Sequence, residues 1–271
     1  MPAPNEITPQ QLSRLIGTPE CPILIDVCTD DDFNQDTRLI PSARRYPFDT
    51  ITDLVPELLG KKVVVICHKG LKLSQGAAAL LRHHKIDCEF AQGGIVAWRK
   101  ANLPMVPTAK VPMQPDSTTL WVTRHRPKID RIACPWLIRR FVDPSAKFLF
   151  VAPSEVLNVA EKFNATPFDV EDCFLTHRNN QCTFDTMIAE FELNSAPLQN
   201  LATIVRGADT DRHDLAPEAA GLMAVSLGLS RMYRDDLAQL EAGMGIYDAF
   251  FRWARDATDE SHNCPVSSAK R

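Results

Sequence analysis

The chain has 271 residues, more than one domain usually holds, so two domains are the natural expectation. With 45% apolar residues, 24% charged residues and a net charge of -4, it reads as an ordinary soluble protein. That balance gives no support for general nucleic-acid binding, and no apolar run approaches membrane-spanning length.

Residues 1–10 are polar, carry Glu6 and lack a basic start, an apolar stretch or a small-residue cleavage site, so a cytoplasmic location is expected. The cysteines, at positions 21, 28, 67, 88, 134, 173, 182 and 264, show no Cys-x-x-Cys pair and no zinc-finger spacing. In a reducing compartment they are most simply free thiols. The apolar run 63–66 reads as a buried strand, and a helix-forming segment begins near Ser74. Between them lies Cys67-His68-Lys69-Gly70-Leu71-Lys72. A thiol at such a strand-to-helix turn faces loop amides and the positive end of a helix dipole, the setting that favours thiolate.

Between 104 and 118, Pro104, Pro107, Pro112 and Pro115 alternate with small and polar residues, which predicts an extended, semi-rigid linker without a helix. Beyond it the pattern predicts strands at 119–123 and 147–151, and a helix capped by Asp130 and running to about 142. Helices are also expected over 155–163, 184–191, 198–206 and 217–227, with Gly207 stopping one and Pro217 in the first turn of another. Leu237, Leu240, Met244, Tyr247, Phe251 and Ala254 form an apolar stripe on a final long helix. Gly243 and Gly245 interrupt it, which favours burial within the domain over a dimer seam. The polar stretch after 256 reads as a flexible tail.

The Cys67 loop and its surroundings resemble a rhodanese (sulfurtransferase) domain. Ile23-Leu24-Ile25-Asp26-Val27-Cys28 is similar to that family's first long strand, and Leu39-Ile40-Pro41-Ser42-Ala43 to its His-Ile-Pro-Gly-Ala turn. Gln92-Gly93-Gly94-Ile95-Val96-Ala97-Trp98 with Leu103-Pro104 is similar to its closing motif. Cys28 and Lys72 stand where Arg is usual, and Leu39 where His is usual. In the related phosphatases five residues separate the nucleophile from an Arg, whereas here four separate Cys67 from Lys72. The shorter loop suits a single sulfur atom, and Lys supplies a point charge in place of a bidentate fork. The resemblance implies a persulfide on Cys67, with His68, Lys69 and the loop amides of Gly70 and Leu71 up to Lys72 around it, and needs no cofactor. The other reading is a catalytically silent rhodanese unit. Cys28, at the end of a strand expected beside that of Cys67, is a candidate resolving thiol or a packing residue.

The second half resembles the bacterial chromate-resistance domain, through 123–141, Phe168-Asp169-Val170, Thr176-His177-Arg178, Cys182-Thr183-Phe184-Asp185, 204–211 and Ala219-Ala220-Gly221-Leu222. Its basic run includes Arg124, Arg126, Lys128 and Arg131, candidates to hold a tetrahedral oxyanion such as chromate, or alternatively a solvated, ion-paired face. His177, Asp185 and Asp209 are the candidate metal ligands, with Asp211 and His213 as neighbours. One imidazole with carboxylates and no thiolate suits Mn, Fe or Zn; caps and surface ion pairs are the alternative.

The expected organisation is an α/β rhodanese-like domain at 1–106, a linker at 107–118, a helix-rich α+β chromate-resistance domain at 119–256 and a tail at 257–271. The expected activity is sulfur transfer from a small donor such as thiosulfate to a thiol or cyanide acceptor, in cytoplasmic chromate or oxidative-stress handling. A competing expectation is an oxyanion sensor, or a metal-dependent redox protein, in which the rhodanese unit is not catalytic.

Overall fold

The computed structural model describes residues 5–114 and 118–260. The chain begins with β1 (Glu6–Ile7) and α1 (Pro9–Leu15), whose N-cap Thr8 and Gln11 form a reciprocal capping box. Then follow β2 (Ile23–Asp26), α2 (Asp30–Phe33), β3 (Arg38–Leu39), β4 (Ala43–Arg45), a 3-10 run (Phe48–Leu54) and α3 (Val55–Leu58). β5 (Lys62–Ile66), α4 (Lys72–His83), β6 (Asp87–Ala91), α5 (Gly94–Lys100) and β7 (Val106–Pro107) complete this part. Its sheet runs β1-β6-β5-β2-β4, with every pairing parallel. Val63, Val64, Val65 and Ile66 of central β5 are all 0% exposed, as expected for a parallel strand covered on both faces.

The second part contains β8 (Leu120–Arg124), α6 (Asp130–Leu137), β9 (Lys147–Val151), α7 (Val156–Phe163) and β10 (Thr166–Pro167). It ends with α8 (Thr183–Glu190), α9 (Ala196–Asp209), α10 (Glu218–Met232) and α11 (Asp236–Asp256). Its sheet, β10-β8-β9, is parallel too. Trp136 anchors the helical core against Phe141, Phe184, Tyr247 and Phe251, with ring centroids 5.5 to 6.3 Å apart. Its indole N–H donates to Asp248 at 2.8 Å, and the same carboxylate takes both arms of Arg140.

Several local expectations change. Pro107 does not belong to a free linker: β7 pairs antiparallel with β3, and Thr108–Lys110 form a 3-10 turn. Asp130 does not cap its helix, because Ile129 holds the cap position and the Asp130 side chain is buried beneath α8. The helix continues through Pro135 into a π-helical turn, Ile138–Val142. Gly207 lies inside α9, where a Cβ would stand 2.9 Å from that of Ala219; it lets α10 approach and stops nothing. Gly243 likewise makes room for Ile132, while Leu237, 48% exposed, leaves the apolar stripe. Pro115 and residues 261–271 of the expected tail lie outside the described residues.

The two parts share one continuous apolar core. Ser42 N–H donates to the Phe141 carbonyl at 2.7 Å, and a Cβ on Gly17 would come within 2.4 Å of the Phe141 ring. Arg14 pairs with Asp256 at 3.0 Å, and Lys110 with Glu190 at 2.9 Å.

Candidate functional sites: a thiol loop and a His–Asp cluster

Cys67 follows β5 directly, at the carboxyl edge of the parallel sheet, and Lys72 opens α4. Such an edge is where ligands bind in open α/β sheets. Cys67 is 5% exposed, and its thiol lies 3.1 Å from the Ser74 hydroxyl. The loop is held from the next strand-to-helix turn: Ile95 N–H donates to the Cys67 carbonyl at 3.1 Å and Val96 N–H to the His68 carbonyl at 3.0 Å. This contact explains the paired glycines. Gly94 has φ +58°, and a Cβ there would stand 2.0 Å from the Cys67 carbonyl oxygen. A Cβ on Gly70, with φ +66°, would stand 2.6 Å from both the Ala91 oxygen and the Gly93 nitrogen. His68 is half-buried, and Lys69, Leu71 and Lys72 are exposed.

Cys28 follows β2, which pairs with β5, and the Val27 N–H donates to the Ile66 carbonyl at 2.8 Å, so the two cysteines share one sheet edge. Both are free thiols. Burial, and then the adjacent Asp26 carboxylate, push the Cys28 thiol far above its ordinary pKa. Exchange requires a thiolate, so this environment favours a packing role over a resolving one.

In the second part, His177 Nε2 lies 3.1 Å from Asp209 Oδ2, 3.4 Å from Asp130 Oδ2 and 3.5 Å from Asp169 Oδ1. Four segments build this cluster: Asp130 opens α6, Asp169 follows β10, His177 precedes α8 and Asp209 ends α9. Arg124, the last residue of β8, and Arg131 grip Asp169 at 3.1 and 3.2 Å, and the Thr183 hydroxyl donates to it at 2.9 Å. Asp130 is 0% exposed; its Oδ2 accepts the Thr183 N–H at 2.6 Å, and its Oδ1 has no hydrogen-bond partner. Burial raises the Asp130 pKa against the pull of His177. The carboxylates of Asp130, Asp169 and Asp209 raise that of His177. Asp169 is held low, because His177, Thr183, Arg131 and Arg124 together outweigh the burial that opposes its charge.

Two of the three expected ligands, His177 and Asp209, therefore come together, while Asp185 does not join them. Asp185 accepts the Cys182 N–H at 3.0 Å to cap α8 and takes Arg206 at 2.8 Å, so both of its oxygens are committed. Asp130 and Asp169 occupy the place it was expected to fill. His213 faces Asp211 at 3.6 Å, and the Asp211 side chain is 83% exposed. Asp130 had a visible signal, as the one acid inside the basic run 124–140, and Asp169 lay inside the Phe168-Asp169-Val170 motif.

Three of the four basic residues are taken up by partners within the protein. Arg124 and Arg131 turn to Asp169, whereas Arg126 reaches the carbonyls of Ser230 and Tyr233 at the end of α10. Lys128 is half-buried.

Residues 8–101 match the family described as rhodanese-like domain, and residues 121–254 match the one described as ChrB, C-terminal domain. A sulfurtransferase of Allochromatium vinosum is 30% identical over 103 residues, 38% of this chain and 94% of that protein. Protein ChrB of Cupriavidus metallidurans is 32% identical over 132 residues, 48% of this chain; the chain spans 39% of ChrB's length. A solved rhodanese-like domain protein of Staphylococcus aureus is 26% identical with a TM-score of 0.32, covering 35% of this chain and 90% of that one. The chain thus belongs to the rhodanese-like family through its N-terminal part and joins to it a ChrB C-terminal domain.

Proposed function

We propose that the protein is a sulfurtransferase working through a persulfide on Cys67, fused to a ChrB domain and acting in cytoplasmic chromate or oxidative-stress handling. The observation that carries the reading is the placement of Cys67 at the sheet's carboxyl edge, in a loop with His68, Lys69 and Lys72 leading into a 12-residue helix. The Cys67 thiolate attacks the outer sulfur of thiosulfate, the S–S bond breaks, and sulfite leaves with the bonding pair. The persulfide then gives that sulfur to cyanide or a thiol and regenerates the thiolate. The exposed lysines draw the dianionic donor towards the loop and offset charge on the persulfide. No cofactor is required. Mass spectrometry after thiosulfate treatment should find one added sulfur on the Cys67 peptide. Cys67→Ser, nearly isosteric but a poor nucleophile without a base, should abolish thiocyanate formation while leaving the fold intact. Full activity in that variant overturns the assignment. Chromate tolerance of a host carrying the wild type against Cys67→Ser tests the cellular role: equal tolerance would detach sulfur transfer from it.

A further inference from the structure

We infer that Asp130, His177 and Asp209 form a binding site for one first-row divalent cation, Mn, Fe or Zn, in the ChrB domain. One donor atom from each residue lies within 4.8 Å of the others. Two independent features separate the group from a self-contained ion cluster. The first is stoichiometric: Nε2 of His177 carries at most one hydrogen, yet three carboxylate oxygens surround it at 3.1 to 3.5 Å. A single N–H serves one of them; the Asp130 and Asp169 oxygens instead accept from Thr183 at 2.6 and 2.9 Å, and 3.4 and 3.5 Å are long for a bond to His177. Ligands about 2.1 Å from one cation are separated from each other by roughly 3.0 Å in octahedral and 3.4 Å in tetrahedral geometry. The observed spacings to Asp209 and Asp130, 3.1 and 3.4 Å, lie in that range.

The second feature is Asp130 itself. A carboxylate at 0% exposure normally has its lone pairs occupied, yet Oδ1 has no partner. The oxygen facing His177 is Oδ2, so a cation held by both Asp130 oxygens would supply one. Two carboxylates and a neutral imidazole also balance a divalent charge. Asp169 stands outside this balance, because Arg124 and Arg131 already offset it; its role is to position His177. The mixed nitrogen and oxygen donors, without thiolate, fit Mn, Fe or Zn better than copper or a cluster. His177 is 41% exposed and Asp209 19%, which leaves an approach from solvent.

This site is independent of sulfur transfer at Cys67. Full-length protein stripped with EDTA and dialysed against Mn2+ or Zn2+ should take up one ion per chain, with Mn2+ giving a protein-bound paramagnetic resonance spectrum. Asp209→Asn and His177→Ala should each weaken uptake about tenfold or more, while exposed Asp211→Asn leaves it unchanged. Circular dichroism checks that the variants are folded, a reason for using the two solvent-accessible ligands in place of Asp130. No stoichiometric uptake of either ion, or uptake undiminished in both ligand variants, overturns the site.

Discussion

Replacing Gly94 by Ala places a methyl group where the backbone has φ +58° and where a Cβ would stand 2.0 Å from the Cys67 oxygen, 2.5 Å from Gly70 N and 2.8 Å from the His68 oxygen. All three neighbours are backbone atoms, so no side chain can swing aside. The left-handed conformation alone costs about 1 to 2 kcal/mol for a residue with a Cβ. Relief of the clash moves the 67–70 loop away from α5 and breaks the bonds from Ile95 and Val96 to the Cys67 and His68 carbonyls, worth about 1 kcal/mol each. The total is about 3 to 4 kcal/mol. Gly76 is the natural control: it lies inside α4 with nothing within 4 Å of its absent Cβ, so Ala should stabilise there by about 1 kcal/mol. Urea denaturation followed by circular dichroism should therefore give shifts of opposite sign. Sulfur-transfer rate should also fall in Gly94→Ala and hold in Gly76→Ala. A Gly94→Ala protein within about 0.5 kcal/mol of wild type, the range of an ordinary surface change, would refute the steric account of the glycine pair.

Asp143→Ala should cost about 3 kcal/mol, since that carboxylate accepts the Thr119 N–H and hydroxyl at 2.7 Å each and the Ser145 N–H at 2.8 Å, and its loss leaves the buried Thr119 donors unsatisfied; equilibrium unfolding measures it. Gly243→Ala should destabilise by about 1 to 2 kcal/mol net of the helix-propensity gain, because its Cβ would meet Ile132 Cγ2 at 2.7 Å; a thermal melt unchanged or raised would show that α6 and α11 can part freely. Arg178 and Lys110 hold Glu190 below its ordinary value of 4.5, so its contribution is present above that pH and lost as pH falls through the depressed value. The melting-temperature gap between wild type and Glu190→Gln should accordingly close between neutral pH and the acid limb, and a gap that widens in acid contradicts the pairing.

Where the physics is local, the sequence was legible. The run Val63 to Ile66 reads as a strand because its side chains are apolar on both faces, and the Cys67 loop, the Gly93-Gly94 turn and the strand at 147–151 carry their own signatures in chain order. Helix starts and stops were less legible. Gly207 and Gly243 read as breakers because propensity penalises glycine in isolation, whereas the packed neighbours Ala219 and Ile132 reward the missing side chain.

The candidate metal ligands divide along the same line. His177 and Asp209 stood out by residue type, but a side chain's partner depends on which helix end passes over it. Asp185 sits at the third position of α8, where a carboxylate can close back on its own cap and meet Arg206 one helix away. Asp130 looked like a helix cap, yet the fold lays the first turn of α8 across it and leaves its other oxygen buried without a hydrogen-bond partner. Composition, motif and period determined the two domain types and the strand-to-helix loop that carries Cys67, since these depend on residues close together in the chain. The choice of Asp130 over Asp185 beside His177, and the joining of both parts through Phe141, Ser42 and Gly17, were decided by tertiary packing, because burial and long-range contact depend on elements far apart in sequence.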